Sequence, residues 1–473
     1  MRPLTRPSGR RSLALALTVA TACSLGVPAR AQEPPRGRVD FRANLQPIDG
    51  FGFSEAFQRA AVIHGLNGLS APKQKEVVDL LFGRRAGAGA SILRLGIGSS
   101  ADKVYDHMPS IEPADPGGPT APPKYVWDGD DGGQVWLATQ AKAYGVRRFY
   151  ADAWSAPGFM KTNGTDANGG TLCGLQGTDC ASGDWRKAYA NYLVQYARFY
   201  RREGIRITDL GFTNEPDITV SYASMNFTPA QAVEFVKVLG PLAKKAGLKL
   251  SCCDHTGWDG QKDYTRAIEA DPRAAKWVTT VTGHAYSSPV TSPQPTRKRT
   301  WMSEWGPGGS TWNENWDDGT ESSGFAVAEN IHRTMTDGSA GAYVYWLAAS
   351  IGATRALIQL DGDAYHVSKR FWAFAAYSRF IRPGATRVAV SAADPALEIS
   401  AYRNADGTKV VEILNTGTTA ATTDLALGSP AGHAQAYLTD ADHSVTPVAA
   451  ARVHGRDLSV DLAPRSLTTV VLR

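Results

Sequence analysis

Long apolar segments are nearly absent from this chain of 473 residues. The one marked run, "SLALALTVATACSLGV", follows a front rich in arginine and precedes the small-x-small motif at residues 29–31. This order is typical of an export signal, and the run is short for a membrane span. We predict that residues 1–31 are a signal peptide, and that the protein is secreted by the Sec or the twin-arginine route, with no membrane partner after cleavage.

An excess of charge of one sign is also lacking once this leader is removed. The whole chain has 50 Lys and Arg against 45 Asp and Glu, and the leader accounts for five arginines, so the remainder carries 45 of each sign. Nucleic acids and anionic membranes bind clustered positive charge. The composition therefore argues against a nucleic-acid partner and favours an uncharged polymer such as a polysaccharide. The oligomeric state stays open.

Cysteine is scarce, with five in the chain, and Cys23 leaves with the signal peptide. Cys173 and Cys180 lie in the Gly-rich segment "TLCGLQGTDC", where a short disulfide loop is sterically easy in an oxidising compartment. We predict a disulfide there. Cys252 and Cys253 are adjacent in the apolar run "LKLSCCDH", and we predict buried free thiols on opposite faces of a strand. Metal-ligand spacing does not occur, so we predict neither a metal nor a cofactor.

Short apolar runs alternate with amphipathic helices from residue 48 to about residue 350. The segment "TPAQAVEFVKVLGPLAKKAG" shows the helical half, because Thr228 can cap it, Pro229 suits its first turn and Gly247 can end it. The apolar runs are "IDGFGFS", "SILRLGIG", "VRRFYADAW", "ITDLGFTNE", "LKLSCCDH", "VTTVTGHAY", "TWMSEW" and "GAYVYWLA". Eight such runs predict an α/β fold, a (β/α)8 TIM barrel over residues 48–385. An open doubly wound sheet is the alternative, but no Gly-rich phosphate fingerprint follows the first run.

The pattern changes after the barrel. From residue 386 to residue 473, alternating segments such as "KVVEILN" and "LTTVVLR" are separated by Gly, Asp and Pro turns. We predict an antiparallel β-sandwich domain there, to which the N-terminal segment 32–47 adds a strand. This domain is either a stabilising module or a glycan-contacting one.

Two carboxylates stand where apolar runs end. Glu215 closes the fourth run and Glu304 the seventh, and the carboxyl ends of barrel strands face one rim. Converging carboxylates suit glycoside hydrolysis, with a separation of about 5 to 5.5 Å in retaining enzymes. A non-catalytic carbohydrate-binding protein is the remote alternative, which would have lost one of them. A serine hydrolase would need a G-x-S-x-G elbow, which is missing around Ser303.

The chain resembles glycoside hydrolase family 30 over nearly its whole mature length. The resemblance depends on seven motifs in the right order: "IDGFGFSEAFQRA", "LRLGIG", "DAWSAPGFMKTNG", "TNEPD", "SEWG", "YWLA" and "SRFIRPGA". It implies that Glu215 is the acid/base and Glu304 the nucleophile. It further implies that Asn214 binds the sugar 2-hydroxyl and that Arg94 lies beside the nucleophile and keeps it ionised.

Other strand-end residues have a functional and a structural interpretation. His284 and Tyr286 are expected to orient Glu304, although His284 also fits a core position. Trp154 and Trp346 are expected to bound the sugar ring or, alternatively, to pack in the core. A further pair, Glu55 and Arg59, follows the first run and forms either a salt-bridged helix start or a substrate contact, where Arg59 suits a glucuronate branch.

Taken with the resemblance, these residues predict a secreted retaining endo-β-glycosidase that acts by double displacement on a plant cell-wall polysaccharide. The "GFMKTNG" insert and "SEAFQRA" favour the branches of the family that cut β-1,6-galactan side chains of arabinogalactan or β-1,4-xylan. We favour the galactanase, with the endo-β-1,4-xylanase or glucuronoxylanase as the alternative. The glucosylceramidase branch fits the insert less well.

Overall fold

The computed structural model describes residues 36–309, 311–352 and 355–473. The predicted signal peptide, residues 1–31, lies outside the described residues. Within those that are described, no helix has both the length and the apolar character that crossing a bilayer requires.

The chain begins with strand β1 and then forms a closed parallel barrel of eight strands in sequence order. The strands are β1 (Gly37–Pro47) and, in the barrel, β2 (Gly50–Ser54), β3 (Ile92–Ile97), β4 (Arg148–Ala153), β5 (Asp209–Leu210), β6 (Lys249–His255), β7 (Val278–His284), β8 (Arg299–Trp305) and β9 (Ala342–Leu347). Each barrel strand falls within or overlaps a predicted apolar run, and the predicted TIM barrel is confirmed. One run is longer than its strand: β5 ends at Leu210, so Glu215 lies in the loop beyond it.

Helices connect most of the barrel strands on the outside. They are α1 (Arg59–Ala61), α2 (Ala71–Phe82), α3 (Gln134–Ala143), α4 (Arg186–Arg202), α5 (Pro229–Ala246), α6 (Trp258–Ala270), α7 (Pro272–Ala275), α8 (Gly324–Thr336) and α9 (Lys369–Phe380). In α5 the Thr228 hydroxyl accepts the N–H of Gln231 and the Gln231 side chain accepts the N–H of Thr228, while Gly247 ends the helix at φ 75°. The reciprocal cap satisfies two N–H groups that the helix leaves unpaired.

Large side chains fill the interior of the barrel near the amino ends of its strands. Tyr150 and Trp301 meet edge to face with ring centroids 5.9 Å apart, and they form one buried cluster with Ile92, Ala342 and Val344. The barrel interior is therefore a packed core, and functional side chains are left to the rim at the carboxyl ends of the strands.

Strands dominate the rest of the chain. A small sheet contains β10 (Ala349–Ile351), β11 (Ile358–Asp361) and β12 (Ala364–Val367), and the C-terminal part contains β13 (Thr386–Ser391), β14 (Leu397–Arg403), β15 (Lys409–Asn415), β16 (Ala421–Leu427), β17 (Ala434–Thr439), β18 (Thr446–Val448), β19 (Ala451–His454), β20 (Asp457–Leu462) and β21 (Ser466–Leu472). Strand β1 lies between β13, to which it is antiparallel, and β16, to which it is parallel, in a sheet of ten strands. The N-terminal strand thus joins the C-terminal sheet, as predicted for the segment 32–47.

The four cysteines of the described region form two disulfides. The predicted bond between Cys173 and Cys180 is confirmed, with a Cα–Cα distance of 5.7 Å. Cys252 and Cys253 are buried as predicted, but they are bonded to each other, so the prediction of free thiols is wrong. Adjacent residues point to opposite faces only in a regular strand. The register between β6 and β7 shifts between Cys253 and His255, so the strand is irregular beside the two cysteines.

Candidate active site

Glu215 and Glu304 meet at the carboxyl end of the barrel, although 89 positions separate them in the chain. A carboxylate oxygen of each and a ring nitrogen of His284 all lie within 4.8 Å of one another. Glu304 is carried by β8, whereas Glu215 lies beyond β5 with a left-handed backbone, φ 47°. A non-glycine residue in this region is strained, and such strain concentrates at functional sites. The backbone N–H of Glu215 donates to the carbonyl of Asp254 at 2.9 Å, which helps to hold this conformation.

Glu304 is surrounded by donors. Arg94, which is completely buried, forms an ion pair with Glu304 through Nη1, and the Tyr286 hydroxyl donates to the other carboxylate oxygen at 2.8 Å. Nη2 of Arg94 donates to Asn214 Oδ1 at 2.6 Å and to Asp152 at 2.7 Å. The arginine therefore places a positive charge directly beside the carboxylate of Glu304. With its Oδ1 accepting from Arg94, Asn214 has its Nδ2 group left as a hydrogen-bond donor.

Glu215 has a different environment. Burial raises its pKa, the hydrogen bond with His284 Nδ1 at 3.2 Å offsets part of the rise, and the charge of Glu304 adds to it. A raised pKa keeps a carboxylic acid protonated at higher pH, as a proton donor to a leaving group requires. The two glutamates thus have different electrostatic environments, as a separate acid and nucleophile would require.

His284 connects Glu215 to a buried acid. Its Nε2 lies 3.3 Å from Oδ1 of Asp254. Burial by itself would lower the pKa of His284, but the charge of Glu304 and the hydrogen bonds to Asp254 and Glu215 raise it to about 10. The ring is therefore a cation that donates from both nitrogens.

Asp254 is a site residue that the sequence pattern did not single out. It accepts hydrogen bonds from the Tyr150 hydroxyl at 2.7 Å and from Thr282 at 2.6 Å, and it lies 3.7 Å from Arg94. Burial acts to raise its pKa, but the hydrogen bond to His284 and the charge of Arg94 lower it to about 2. Asp254 is therefore the permanent anion that holds His284 and Arg94 under the two glutamates. Its position at the end of an apolar run was the available signal.

A cleft of about 480 Å³ opens above the glutamates. Its walls carry aromatic and cationic side chains from several loops: Phe57, Arg59, Trp154, Tyr222, Tyr286, Trp346 and Arg355. Trp154 is only 2% exposed and stacks on Arg94 at 4.5 Å, so it also serves as packing for the arginine. Trp346 is less buried, and the two indoles lie 5.7 Å apart. The volume and the aromatic lining suit sugar rings.

Glu55 and Arg59, which were predicted as a pair, lie in different surroundings and have different partners. Glu55 is buried and accepts the N–H of Ala349 at 2.7 Å, and burial raises its pKa to about 8 despite that bond. Arg59 lies in the cleft wall, where it pairs with Asp106 at 2.7 Å and donates to the Tyr105 hydroxyl at 2.8 Å. The interpretation as a salt bridge between Glu55 and Arg59 does not fit, because Glu55 bonds to the Ala349 N–H and Arg59 pairs with Asp106.

These features define the class of the protein. A parallel barrel whose rim brings together two glutamates, one with a raised pKa and one paired with an arginine, close enough to act on a single bond, is the arrangement of a retaining glycoside hydrolase. Residues 133–301 match the glycosyl hydrolase family 30 TIM-barrel domain, and residues 384–470 match the glycosyl hydrolase family 30 beta sandwich domain. The chain belongs to glycoside hydrolase family 30 and is a glycoside hydrolase.

Similar proteins act on more than one glycan. The catalytic domain of the family 30 xylanase C from Talaromyces cellulolyticus is 39% identical, superposes with a TM-score of 0.87, and the match covers 93% of this chain and 100% of that one. An endo-1,6-beta-D-glucanase of Trichoderma harzianum is 25% identical over 412 residues, which cover 78% of each chain. A glucuronoxylanase of Bacillus subtilis is 26% identical over 298 residues, 60% of this chain and 66% of that one.

The contact between Tyr286 and Glu304 leads to a first prediction. Tyr286→Phe removes one hydrogen bond to the carboxylate and leaves the ring in place, so we expect kcat/KM to fall about tenfold to a hundredfold. The unfolding temperature should change little. Steady-state kinetics on the same glycan measure the loss, with Tyr365→Phe as the control, because Tyr365 donates a surface hydrogen bond to Glu76. Unchanged kinetics for Tyr286→Phe would contradict a catalytic contribution of this hydroxyl.

Proposed function

We propose that this protein is a secreted endo-β-1,4-xylanase that cleaves the backbone of glucuronoxylan by double displacement. The observation that carries the proposal is the 39% identity to a family 30 xylanase along the full length of that domain. The second relative named for a xylan, the glucuronoxylanase, is more distant but points to the same polymer.

The mechanism follows from the two glutamates. Glu304 attacks the anomeric carbon while Glu215 protonates the departing glycosidic oxygen, and a covalent glycosyl-enzyme forms. Glu215, now a carboxylate, takes a proton from water as the water attacks the same carbon and releases Glu304. The positive charge of His284 beside Glu215 stabilises that carboxylate between the two steps.

The cleft wall supports a substrate with acidic branches. Arg59 and Arg355 bring two guanidinium groups to the cleft, and Arg355 lies 5.9 Å from the ring centre of Tyr286. Guanidinium groups bind carboxylates with two parallel hydrogen bonds. Asp106 is the one carboxylate apart from Glu215 and Glu304 among the residues described around the cleft, and it is more than half exposed on its side chain. A glucuronate can therefore compete with Asp106 for Arg59.

A backbone with β-1,6 linkages is the second candidate. The endo-1,6-beta-D-glucanase relative covers 78% of this chain, and the predicted galactan substrate has the same linkage. Both backbones are neutral, but an unbranched β-1,6-glucan has no acidic branch, so it gives the two arginines of the cleft no anionic partner.

Product analysis separates the two candidates. We expect the protein to release oligosaccharides from glucuronoxylan and none from arabinogalactan or a β-1,6-glucan under the same conditions. Chromatography of the reducing products, with a Glu304→Ala sample as the blank, gives the result. Release from a β-1,6-linked polymer alone would overturn the xylanase proposal and leave the catalytic assignment intact.

The role of Arg59 gives a second prediction. Arg59→Ala should lower kcat/KM on glucuronoxylan about tenfold and leave hydrolysis of an unbranched xylo-oligosaccharide within about twofold. The matched control is Arg266→Ala, which removes an arginine from a surface pair with Asp263 at 2.9 Å on α6. Equal losses on both substrates would assign Arg59 to the structure of the cleft rather than to an acidic branch.

A further inference from the structure

A second cavity lies at the opposite end of the barrel from the two glutamates. It has a volume of about 490 Å³ and is formed where β4, β5 and β6 begin, together with the segment that follows α9. The charged residues around it are Asp49, Arg147, Arg148, Arg206, Lys249 and Arg382. Five cations thus face one carboxylate, in a chain whose charges balance after removal of the leader.

The barrel register brings these cations together. Arg148 is the first residue of β4 and Lys249 the first of β6. Between them, the Thr208 N–H donates to the carbonyl of Phe149 at 2.9 Å, and the Lys249 N–H donates to the carbonyl of Thr208 at 3.0 Å. Because parallel strands begin at the same rim, residues more than a hundred positions apart in the chain share one side of the cavity.

Carboxylates neutralise only part of this charge. Asp49 lies 3.4 Å from Arg148, and the buried Asp209 lies 3.9 Å from the same guanidinium. Arg147 instead donates to the backbone carbonyls of Lys142 and Val146. These carbonyls fix the position of its guanidinium without cancelling its charge.

The remaining cations are also without a paired carboxylate. Arg382 donates to the carbonyls of Gly89 and Ser378, both at 2.6 Å, and burial lowers its pKa to about 10. Within residues 36–309, 311–352 and 355–473, the Arg206 guanidinium and the Lys249 ammonium form no hydrogen bond or ion pair, although the charge of Lys249 acts on the buried Asp209. Repulsion among such cations costs free energy, and a bound anion would offset it.

We propose that this cavity is an oxyanion-binding site, separate from the catalytic cleft, that takes a ligand with a carboxylate or phosphate group. Arginine supplies planar pairs of N–H donors that fit both groups, and lysine supplies a mobile charge. The two sources of this chemistry are the uronic acid of a glycan and free inorganic phosphate. The volume accommodates a single sugar residue or a phosphate ion with water. The site does not depend on the proposed substrate.

Titration calorimetry on the protein without its leader tests the site with inorganic phosphate, D-glucuronate and, as the neutral control, D-xylose. We expect saturable binding of at least one anion, weakened by added sodium chloride. The double variant Arg206→Ala/Lys249→Ala should raise the dissociation constant at least about tenfold. Both side chains are exposed and hold no structural hydrogen bond, so the fold should persist, and circular dichroism and the unfolding midpoint check it.

Arg59→Ala serves as the control for location, because it removes a cation from the catalytic cleft instead. Binding that survives Arg59→Ala and is lost in the double variant supports the site, and the anion that binds identifies the source. Absence of saturable binding of both anions, or equal binding by the wild type and the double variant, overturns the proposal. Loss of binding in Arg59→Ala alone would place the anion in the cleft and overturn it as well.

Discussion

Glu304→Ala removes all measurable turnover of the polysaccharide, with kcat at least about 10⁴-fold below that of the wild type. The covalent step needs a carboxylate at the anomeric carbon, and within the described residues no other carboxylate shares its contacts with Arg94 and Tyr286. The variant should remain folded, because Glu304 is a rim residue and Arg94 keeps its contact with Asp152 at 2.7 Å. Reducing-sugar release and circular dichroism measure the two effects.

Rescue by azide tests whether Glu304 acts as the nucleophile. The space left by the carboxylate admits a small anion, so azide should restore the cleavage of an aryl β-glycoside by Glu304→Ala and give the glycosyl azide of inverted, α configuration. Glu269→Ala is the control, since Glu269 is a partly exposed glutamate outside the cleft. Substantial hydrolysis by Glu304→Ala without azide, or an azide of β configuration, would contradict the assignment.

The barrel could be predicted because its strands are buried on both faces. Such strands appear as nearly continuous apolar runs, and the run "SILRLGIG" matches β3 (Ile92–Ile97) closely. Polar residues at the ends of these runs then stood out, and Glu215 and Glu304 were predicted in this way, whereas Arg94 lies inside β3 and was implied by the family resemblance. The same logic misplaced the end of β5, because "GFTN" is buried without strand pairing and the run therefore extends to Glu215.

Contacts made through loops could not be predicted in this way. Tyr222 and Arg355 enter the cleft wall from segments without a regular period, and their positions depend on how those loops fold back. Asp254 lies near the end of an apolar run, but its importance comes from neighbours on β3, β4 and β7, which no local pattern encodes. Pairing between adjacent strands likewise brings Arg148 and Lys249 to one cavity only once the register is known.

Glu215→Gln should separate substrates by the quality of their leaving groups. On glucuronoxylan the departing sugar oxygen needs a proton, so kcat/KM should fall about 10³-fold, whereas an aryl glycoside with an acidic phenol should lose less than about tenfold. The parameter kcat/KM reports the glycosylation step, in which Glu215 acts as the acid. Azide should raise kcat of the variant and give the β-glycosyl azide, because the anion then attacks the glycosyl-enzyme on Glu304.

The dependence of kcat/KM on pH tests the same role of Glu215. Burial raises the pKa of Glu215, and the acid form is the active one in glycosylation, so kcat/KM of the wild type must fall as the pH rises through that pKa. Glutamine does not titrate, and the alkaline limb should therefore disappear in Glu215→Gln when the aryl glycoside is the substrate. Glu269→Gln should keep the wild-type profile. An alkaline limb that persists in Glu215→Gln would assign the titration to another group, and equal losses on both substrates would reject Glu215 as the proton donor.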